Sequence, residues 1–312
     1  MASGLIAVTG ATGVVGGRVA ELLAARGERL RLVVRDPDRV PRLAAETRRI
    51  AAYGAGEQVR AALDGVDTLF LVPAHESADR REQHFTAVDA AVEAGVRRIV
   101  YLSFLDARPD STFTLGRDHW ATEDRIRASG VAWTFPRMNL YADFLPLMVS
   151  PDGVLEGPAA DGRAAFVARA DVADVSAALI AENGHEGGAV DVTGPEALTL
   201  ADVADRMSRL SSRRVTFRDQ TVEEAYASRA SYGAPDWQLD AWVSTYTSIA
   251  AGDLAEVSDA VPRLAGHPAT SLEEVLRAHP EALDHVRGRL VRSRFPAASR
   301  RNSDHHAGGE KL

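Results

Sequence analysis

Three glycines spaced three residues apart are the residues of this chain whose spacing most directly suggests chemistry. Gly10, Gly13 and Gly16 follow the apolar run at residues 5–8, and a helical pattern begins directly after them. A turn between a buried strand and a helix presents backbone N–H groups and a helix N-terminus to a phosphate. Gly10 permits the tight turn, Gly13 lets the backbone approach the phosphates, and Gly16 lets helix and strand pack closely. The pattern predicts a bound dinucleotide, with a purely structural turn as the alternative.

The residue that closes the second predicted strand indicates which dinucleotide is bound. Arg35 follows the apolar run at residues 30–34. A guanidinium suits a ribose 2′-phosphate in charge and in bidentate geometry, so Arg35 favours NADPH. Asp36 comes next and leaves NADH open, because a carboxylate can accept a hydrogen bond from the ribose 2′-hydroxyl. The predicted cofactor-binding residues up to this point are Gly10, Thr12, Gly13, Val14, Val15, Gly16 and Arg35.

The elements that must position these residues alternate regularly through the first 137 residues. Apolar runs typical of buried parallel strands lie at residues 5–8, 30–34, 68–72, 98–102 and 131–135, with a weaker one near 49–53. Helical patterns lie between them at 17–26, 57–63, 83–94 and 118–129. This alternation predicts an α/β Rossmann fold, a doubly wound parallel sheet that binds ligands at the carboxyl ends of its strands. Val72, Pro73 and Ala74 end the fourth strand, so we expect their loop to lie against the cofactor. His75, one step farther, could line the entrance, with a solvated loop as the alternative.

The pattern changes near residue 138, where prolines and glycines interrupt the chain repeatedly. Helical patterns follow at 171–182, 199–211, 222–231, 237–251 and 271–278, with a short strand at 189–193. We therefore predict an NADP-binding Rossmann domain at 1–137, to which the chain returns near 165–195. A smaller, mostly helical substrate-binding domain is expected at 138–285. Residues 290–312 carry little that could be buried and are predicted to be disordered.

Composition narrows the class of protein. The net charge of −8 argues against a nucleic-acid partner, and the absence of cysteine excludes disulfides and thiolate metal sites. No metal site is predicted, and no apolar stretch is long enough to span a membrane. We expect a cytoplasmic protein, with a homodimer left open. The sole lysine is Lys311, so no lysine of the folded body can act as a base or a phosphate anchor.

Several segments together resemble the NmrA-like atypical short-chain dehydrogenase/reductases, and among these the type 2 NAD(P)H:quinone oxidoreductases. The resemblance extends from the N-terminus to about residue 280. It rests on the glycine turn at residues 8–16, Val34-Arg35-Asp36-Pro37, Tyr101-Leu102-Ser103, His119-Trp120-Ala121-Thr122-Glu123 and Arg137-Met138-Asn139-Leu140-Tyr141. Ordinary members of the superfamily use a Tyr-x-x-x-Lys pair, which this chain lacks.

The resemblance and the positions of residues after the predicted strands suggest candidate catalytic residues. His119 stands where relatives carry a catalytic lysine and is a candidate proton donor or substrate hydrogen-bonding group; the alternative is a structural histidine near a helix start. The resemblance places Ser103, after the fifth strand, as a ligand-facing hydroxyl for both cofactor and catalysis, with a mere strand-end hydroxyl as the alternative. Asn139, after the sixth strand, is a candidate partner of the nicotinamide. Tyr141, or Phe144, could stack on a flat substrate, with core packing as the competing interpretation.

The missing Tyr/Lys pair bears on the reaction. Reducing a ketone creates a strongly basic alkoxide that needs a positioned acid, whereas a quinone yields a phenolate-like anion with a pKa of roughly 10. The chain is therefore predicted to be an NADPH-dependent reductase of a quinone or polycyclic aromatic ketone. Aromatic polyketide tailoring, in which the hydroquinone reacts with oxygen, is a sub-case. A non-catalytic NADP-binding redox sensor is the main alternative, and a dinucleotide-dependent isomerase or epimerase is a third.

One predicted helix carries three large aromatic side chains. Trp237, Trp242 and Tyr246 lie five and four residues apart. They could form a lid over a planar ligand, although such a stripe more often packs into a core.

Overall fold

The structure is a computed structural model that describes residues 4–182 and 184–288 of the chain. Within these residues the strands, in chain order, are β1 (Ile6–Thr9), β2 (Leu30–Val34), β3 (Glu46–Arg49), β4 (Thr68–Leu71), β5 (Arg98–Tyr101), β6 (Ser103–Phe104), β7 (Ala132–Met138), β8 (Val154–Gly157), β9 (Arg163–Ala164), β10 (Gly188–Val192), β11 (Leu198–Thr199) and β12 (Thr216–Asp219). The α-helices are α1 (Val14–Ala25), α2 (Gly56–Ala62), α3 (Arg80–Glu93), α4 (Thr114–Ala128), α5 (Arg169–Ala181), α6 (Leu200–Ser211), α7 (Val222–Arg229), α8 (Asp236–Ala250), α9 (Leu272–Ala278) and α10 (Pro280–Val286).

A parallel sheet forms the centre of the fold. Its strands lie in the order β10-β7-β5-β4-β1-β2-β3, and β6 pairs with β7 beside this path. Every pairing in the sheet is parallel. The chain runs outward from β1 in both directions, so the order reverses between β1 and β4. In doubly wound sheets this switch point opens a crevice at the carboxyl ends of the strands, where ligands bind. The predicted α/β Rossmann fold is confirmed.

Two helical layers cover the sheet because alternate side chains of each strand point to opposite faces. Ile6 and Val8 of β1 pack with α1 and α5 in one apolar core. Leu5 and Ala7 face the other way and pack with α2 and α3. The four side chains are at most 7% exposed. Burial on both faces explains why these strands appear in the sequence as continuous apolar runs.

The C-terminal part has its own apolar core, to which α6, α8, α9 and α10 contribute. Two small strand pairs organise it: β8 pairs in parallel with β12, and β9 pairs antiparallel with β11. A 3₁₀ helix at Ala142–Met148 leads into it from β7. The chain also returns to the main sheet, since α5 packs on α1 and β10 pairs with β7. None of the described helices is both long enough and apolar enough to cross a bilayer.

Two parts of the secondary-structure prediction differ from the structure. The weak strand expected near 49–53 lies instead at β3, Glu46–Arg49, an edge strand whose side chains are mostly exposed and so lack an apolar pattern. The segment after residue 138 was interpreted as loop-rich, but it contains the 3₁₀ helix and β8. The partner of β8 is β12, which lies about 60 residues further along, so local pattern could not reveal it. The predicted disordered tail at 290–312 lies outside the described residues.

Candidate functional site

The glycine turn lies at the switch point, between β1 and α1. Gly10 has a φ of 64°, and a side chain there would also meet Val72, whose Cβ lies 2.9 Å from the position of an added Cβ. The Gly13 N–H donates to the Gly10 carbonyl at 2.9 Å and closes the turn. A Cβ on Gly16 would lie 2.4 Å from the Gly10 carbonyl oxygen, so α1 can approach β1 this closely only with glycine there. These three positions make a cradle of bare backbone.

The N-terminus of α1 is free to bind an anion. Its N-cap is Gly13, which offers no side-chain hydrogen bond to the first helical N–H groups. Val14 is 53% exposed beside this end, whereas the Val15 side chain is buried in the core. Only the backbone of Val15 can therefore contribute to binding. Unpaired N–H groups and the positive end of the helix dipole suit a pyrophosphate, so the cradle fits a dinucleotide.

A cavity of about 110 Å³ continues from the turn along the carboxyl ends of β2, β3 and β4. Four of the predicted cofactor-binding residues line it: Gly10, Thr12, Arg35 and Pro73. Ala74 and His75, in the loop after β4 that the fold predicts beside the cofactor, also line it. The lining residues that the sequence did not indicate are Val33, Ile50, Ala52, Tyr53 and Gln83. Ile50, Ala52 and Tyr53 lie in the loop after β3, whereas the sequence pattern predicts a strand over residues 49–53, so it gives no signal that these residues line a cavity.

Tyr53 and Val72 tie the cavity wall to the loop after β4. The Tyr53 hydroxyl donates to the Val72 carbonyl oxygen at 2.7 Å, and burial raises the pKa of this phenol to about 12. The Val72 N–H donates to the Thr9 hydroxyl at 2.8 Å. Val72 thus shapes the cavity through its backbone bonds and its contact with Gly10, rather than by lining it.

Arg35 is the exposed cation of this cavity. Among the described residues it has no ion-pair partner, so its guanidinium is free to meet an incoming anion. Asp36, the competing carboxylate, accepts the Asp38 N–H at 3.2 Å and caps the short 3₁₀ helix Pro37–Arg39. Arg39 lies in a shallow cleft beside Gly13 and Val14. The arrangement places positive charge where a 2′-phosphate would extend from an adenosine ribose.

His119 lies inside the fold rather than on its surface. The side chain is 2% exposed, and both ring nitrogens are bonded. The Arg80 guanidinium donates to Nε2 at 3.1 Å, so Nδ1 carries the proton and faces the Tyr101 hydroxyl at 3.0 Å. Burial, with the neighbouring Arg80 charge, lowers the pKa of His119 well below its ordinary value. The imidazole is neutral at physiological pH, and contact with a ligand would require Arg80 to move.

Ser103 and Asn139 are also fully buried, and each is bonded within the protein. The Ser103 hydroxyl donates to Glu123 at 2.6 Å, and the same carboxylate accepts bonds from the Arg127 and Arg137 guanidiniums. The Asn139 side chain donates to the Leu254 carbonyl at 2.9 Å.

We call Ser103, His119, Glu123 and Asn139 the buried polar wall; it lies beyond the ends of β5 and β7. Ser103 does not line the cofactor cavity.

Tyr141 is the one residue of the four predicted catalytic positions that is partly exposed. Its hydroxyl donates to the Met138 sulfur, and burial of the phenol raises the pKa of Tyr141. The Phe144 ring, 41% exposed, lies 5.8 Å from the Tyr141 ring, and the Arg169 guanidinium lies over its face. Tyr141 and Phe144 therefore present an aromatic edge at the point where the chain enters the C-terminal part.

The aromatic residues of α8 have different surroundings. Tyr246 is 8% exposed and belongs to the C-terminal core. Tyr246 and Trp242 line an open cavity of about 600 Å³ with residues of the 3₁₀ helix 142–148, β8, α7 and α10. Trp237 is not among the lining residues. The three residues therefore do not form one lid: Tyr246 packs in the core and reaches the cavity, Trp242 lines the cavity, and Trp237 lies outside it.

Three ligand-type side chains meet where the segment after α8 packs on α1 and α5. Asp171, Asp174 and His267 offer atoms within 4.8 Å of one another. Asp171 accepts the Thr270 N–H and hydroxyl at 2.7 Å, and Asp174 pairs with Arg18 at 2.8 Å. Because protein donors already bond both carboxylates, we interpret this group as a link between the two parts of the chain.

The doubly wound parallel sheet, with the glycine cradle at its switch point, defines the class of protein: it is a Rossmann-type dinucleotide-binding protein. Residues 10–183 match the sequence model of a family described as NAD(P)H-binding. A protein named quinone oxidoreductase 2, from Escherichia coli (strain K12), is 34% identical over 278 residues, which cover 86% of this chain and 96% of that protein. An NAD(P)H azoreductase from Xenophilus azovorans is 31% identical, covering 89% and 99%.

A solved structure shows the same fold. The crystal structure of the Escherichia coli NADPH-dependent quinone oxidoreductase QOR2 complexed with NADPH matches with a TM-score of 0.79 and 32% identity, covering 88% of this chain and 99% of that one. The chain therefore belongs to the NAD(P)H-binding family, among the quinone oxidoreductase 2-like and NmrA-like oxidoreductases. The resemblance identified from the sequence and the predicted nicotinamide cofactor are both confirmed.

Proposed function

We propose that this protein is an NADPH-dependent reductase that delivers hydride to a quinone or a comparably activated flat aromatic acceptor. Two relatives that align along almost their whole length support the reaction class, since one is named for quinones and the other for azo compounds. Both acceptors are conjugated molecules that delocalise the charge they gain. The observation that carries the proposal is the state of the buried polar wall, in which the neutral His119 is already bonded to Arg80 and Tyr101.

The residues that would hold the cofactor follow from the cavity. The N–H groups at the start of α1 would bind the pyrophosphate, and Arg35 would pair with the 2′-phosphate that distinguishes NADPH from NADH. Ile50, Ala52 and Tyr53 line the cavity and would offer a largely apolar face to the adenine ring. When bound, NADPH supplies the hydride. Positioning of the acceptor against it is then the main task of the protein.

The proton balance favours an activated acceptor over an isolated ketone. A ketone would require a strong acid at the reacting oxygen as hydride arrives. Tyr101 has a pKa raised by burial, and His119 has a depressed pKa, so neither is poised as a proton donor near pH 7. A hydroquinone anion, with a pKa of roughly 10 by analogy with tyrosine, takes its proton from water. The role of proton donor for His119 thus stays a prediction that the geometry does not favour.

Tyr141 and Phe144 are the groups we propose to stack on the acceptor. They form the exposed aromatic edge next to the end of β7, and ring stacking suits a flat conjugated molecule. Replacing Phe144 with Ala should raise the KM for the acceptor several-fold and leave the KM for NADPH unchanged. Val257, an exposed apolar residue outside both cavities, provides the control variant Val257→Ala.

The test is an anaerobic assay of NADPH with a panel of quinones, azo dyes and simple ketones, followed by nicotinamide absorbance. We expect oxidation with quinones and none with simple ketones. Tight NADPH binding without oxidation of any acceptor would instead support the NADP-binding redox sensor. The same assay in air, with oxygen uptake measured, tests whether a reduced polycyclic acceptor goes on to react with oxygen, as aromatic polyketide tailoring would require.

A further inference from the structure

The loop after β4 is held from behind by two buried side chains of α3. The His84 ring accepts the Ala74 N–H at Nε2 over 2.9 Å, and the Arg80 Nε–H donates to the Ala74 carbonyl oxygen at 3.1 Å. Both polar groups of one peptide residue are therefore bonded to side chains of the same helix. His84 is 0% exposed and Arg80 is 5% exposed.

The same two side chains continue to α4. The other nitrogen of His84, Nδ1, lies 2.8 Å from the Thr122 hydroxyl. Arg80 reaches Nε2 of His119 at 3.1 Å and the Asp118 carboxylate at 3.5 Å. Since Nε2 of His84 accepts a bond, its proton lies on Nδ1 and the ring is neutral. Burial and the Arg80 charge lower the pKa of His84 to about 3, so this state holds at physiological pH.

Ala74 is also part of the cofactor cavity. It lines the cavity together with Pro73 and His75, facing the glycine turn at Gly10 and Thr12. Any shift of the Ala74 peptide would therefore move one wall of the cavity toward or away from the other. Arg80 and His84 bond Ala74 on the side away from the cavity and so set the position of this wall.

We propose that Arg80 and His84 are positioning residues that fix the Ala74 peptide for cofactor binding. This inference rests on the proposed function only for its effect on turnover, because NAD(P)H binding is a property of the family to which the chain belongs. The arrangement acts through the backbone of Ala74: His84 on α3 supplies one acceptor to its N–H, Arg80 on α3 supplies one donor to its carbonyl, and residues of α4 bond the other side of both side chains.

The chemistry of Arg80 indicates more than packing. A buried guanidinium loses its hydration, and apolar residues of similar volume would stabilise a core at least as well. In the described part of the chain its one ion-pair partner, Asp118, is at 3.5 Å and partly exposed, so the cation is only partly compensated. What Arg80 provides instead is a rigid fork whose three nitrogens each meet a different group. A lysine has a single donor atom and could not hold these three groups together.

The experiment measures NADPH dissociation constants for four variants of the full chain, with melting temperature as the check on folding. His84→Ala leaves the Ala74 N–H without its acceptor, and Arg80→Lys keeps the charge but loses the fork. We expect each to raise the dissociation constant about tenfold, which corresponds to the loss of one ordering hydrogen bond. His84→Gln should restore most of the affinity, because an amide oxygen can reach the Ala74 N–H.

Arg81→Ala is the matched control, because Arg81 is adjacent in sequence and 55% exposed. It should bind NADPH within twofold of the wild type. Folded His84→Ala and Arg80→Lys variants that also bind within twofold, and differ only in melting temperature, would overturn the proposal. If Arg80→Lys does not fold, the pair His84→Ala and His84→Gln decides the matter alone.

Steady-state kinetics with a quinone separate this inference from the proposed function. We expect the KM for NADPH to rise in His84→Ala while the KM for the quinone stays within twofold. If no acceptor is reduced by any protein but the dissociation constants change as stated, the proposed function fails and the positioning role stands. If the wild type reduces quinones, and the variants change neither the dissociation constant nor the KM for NADPH, the positioning role fails and the proposed function stands.

Discussion

The glycine cradle and the buried polar wall are built from different parts of the chain. The glycine cradle is backbone from seven consecutive residues, Gly10 to Gly16, and its shape follows from local conformation. The buried polar wall consists of side chains from different elements, and its bonds join residues as far apart as Ser103 and Glu123 or Asn139 and Leu254, 20 and 115 residues apart in sequence. The glycine cradle is open to anions, whereas the side chains of the buried polar wall are bonded within the protein. A dinucleotide-binding turn can thus be a local motif, while a cluster of buried polar side chains depends on the whole fold.

The largest expected effect concerns the buried polar wall. Glu123→Gln would remove the negative charge that, among the described residues, pairs with both Arg127 and Arg137, and breaking a buried ion pair on one side costs up to about 3–5 kcal/mol. We therefore expect a large fall in the free energy of unfolding, measured by urea denaturation. Asp124→Asn, at the neighbouring exposed position, is the control. A loss below about 1 kcal/mol would mean that the wall is not an integrated structural unit.

The next prediction concerns the cradle. Gly16→Ala places a Cβ 2.4 Å from the Gly10 carbonyl oxygen, so α1 must shift away from β1. Overpacking of this kind costs roughly 1–3 kcal/mol, and we expect NADPH binding to weaken by more than tenfold. Titration of NADPH and thermal unfolding check both effects. Gly54→Ala serves as the control, since the nearest atom to its Cβ would be 3.8 Å away. Equal affinity of Gly16→Ala and wild type would contradict the role of the cradle.

Arg35 tests the chemical selectivity of the open side. Arg35→Glu should raise the KM for NADPH by ten- to a hundredfold, because a charge-assisted pair is worth about 1.5–3 kcal/mol. The KM for NADH should change less than threefold, since it lacks the 2′-phosphate. Arg48→Glu, on the exposed edge strand β3 and outside the cavity, should leave both values unchanged. Equal changes for the two cofactors in Arg35→Glu would sink the assignment.

The smallest expected effect is a pH dependence of stability. Burial lowers the pKa of His119 below its unfolded value of about 6.5, so below that pH the unfolded chain binds a proton that the folded protein does not. Stability is fully present above about pH 6.5 and falls by up to about 1.4 kcal/mol per pH unit below it. His119→Gln should show a correspondingly shallower slope between pH 6.5 and 5 in urea denaturation.

Activity should behave differently from stability. Because His119 stays neutral, kcat for quinone reduction should show no step from its titration between pH 6 and 8. If kcat of the wild type falls as the pH rises, with a midpoint near pH 6.5, and kcat of His119→Gln does not, His119 would instead be established as a proton donor. That outcome would also show that Arg80 moves during turnover.

The sequence predicted the first half of the fold well because each buried strand is an apolar run bounded by turn residues. β2 falls at residues 30–34 as expected, and the other predicted strands of the main sheet, apart from β3, differ by no more than a few residues at their ends. The C-terminal part was predicted less completely. β8 is stabilised by β12 and the 3₁₀ helix 142–148 packs on α9 and α10, so these elements depend on distant partners rather than on local pattern.

Arg80 and His84 show what the sequence concealed about the site. Both lie on α3, where an Arg and a His four residues apart are typical of an exposed helical face. The structure buries them because α3 packs between the loop after β4 and α4, and their polar atoms find Ala74, Thr122 and His119 there. No local signal distinguishes these residues from the exposed Arg81 beside them.

The sequence by itself determined the glycine cradle, the guanidinium after β2 and the absence of a usable lysine. Each follows from residue types at fixed spacing, because backbone freedom and the presence of a functional group are local properties. Only the tertiary structure decided that His119, Ser103 and Asn139 are bonded internally, and that Arg80 and His84 fix the loop across the cavity. Burial and hydrogen-bond partners belong to the folded chain, and they set which side chains are free to meet a ligand.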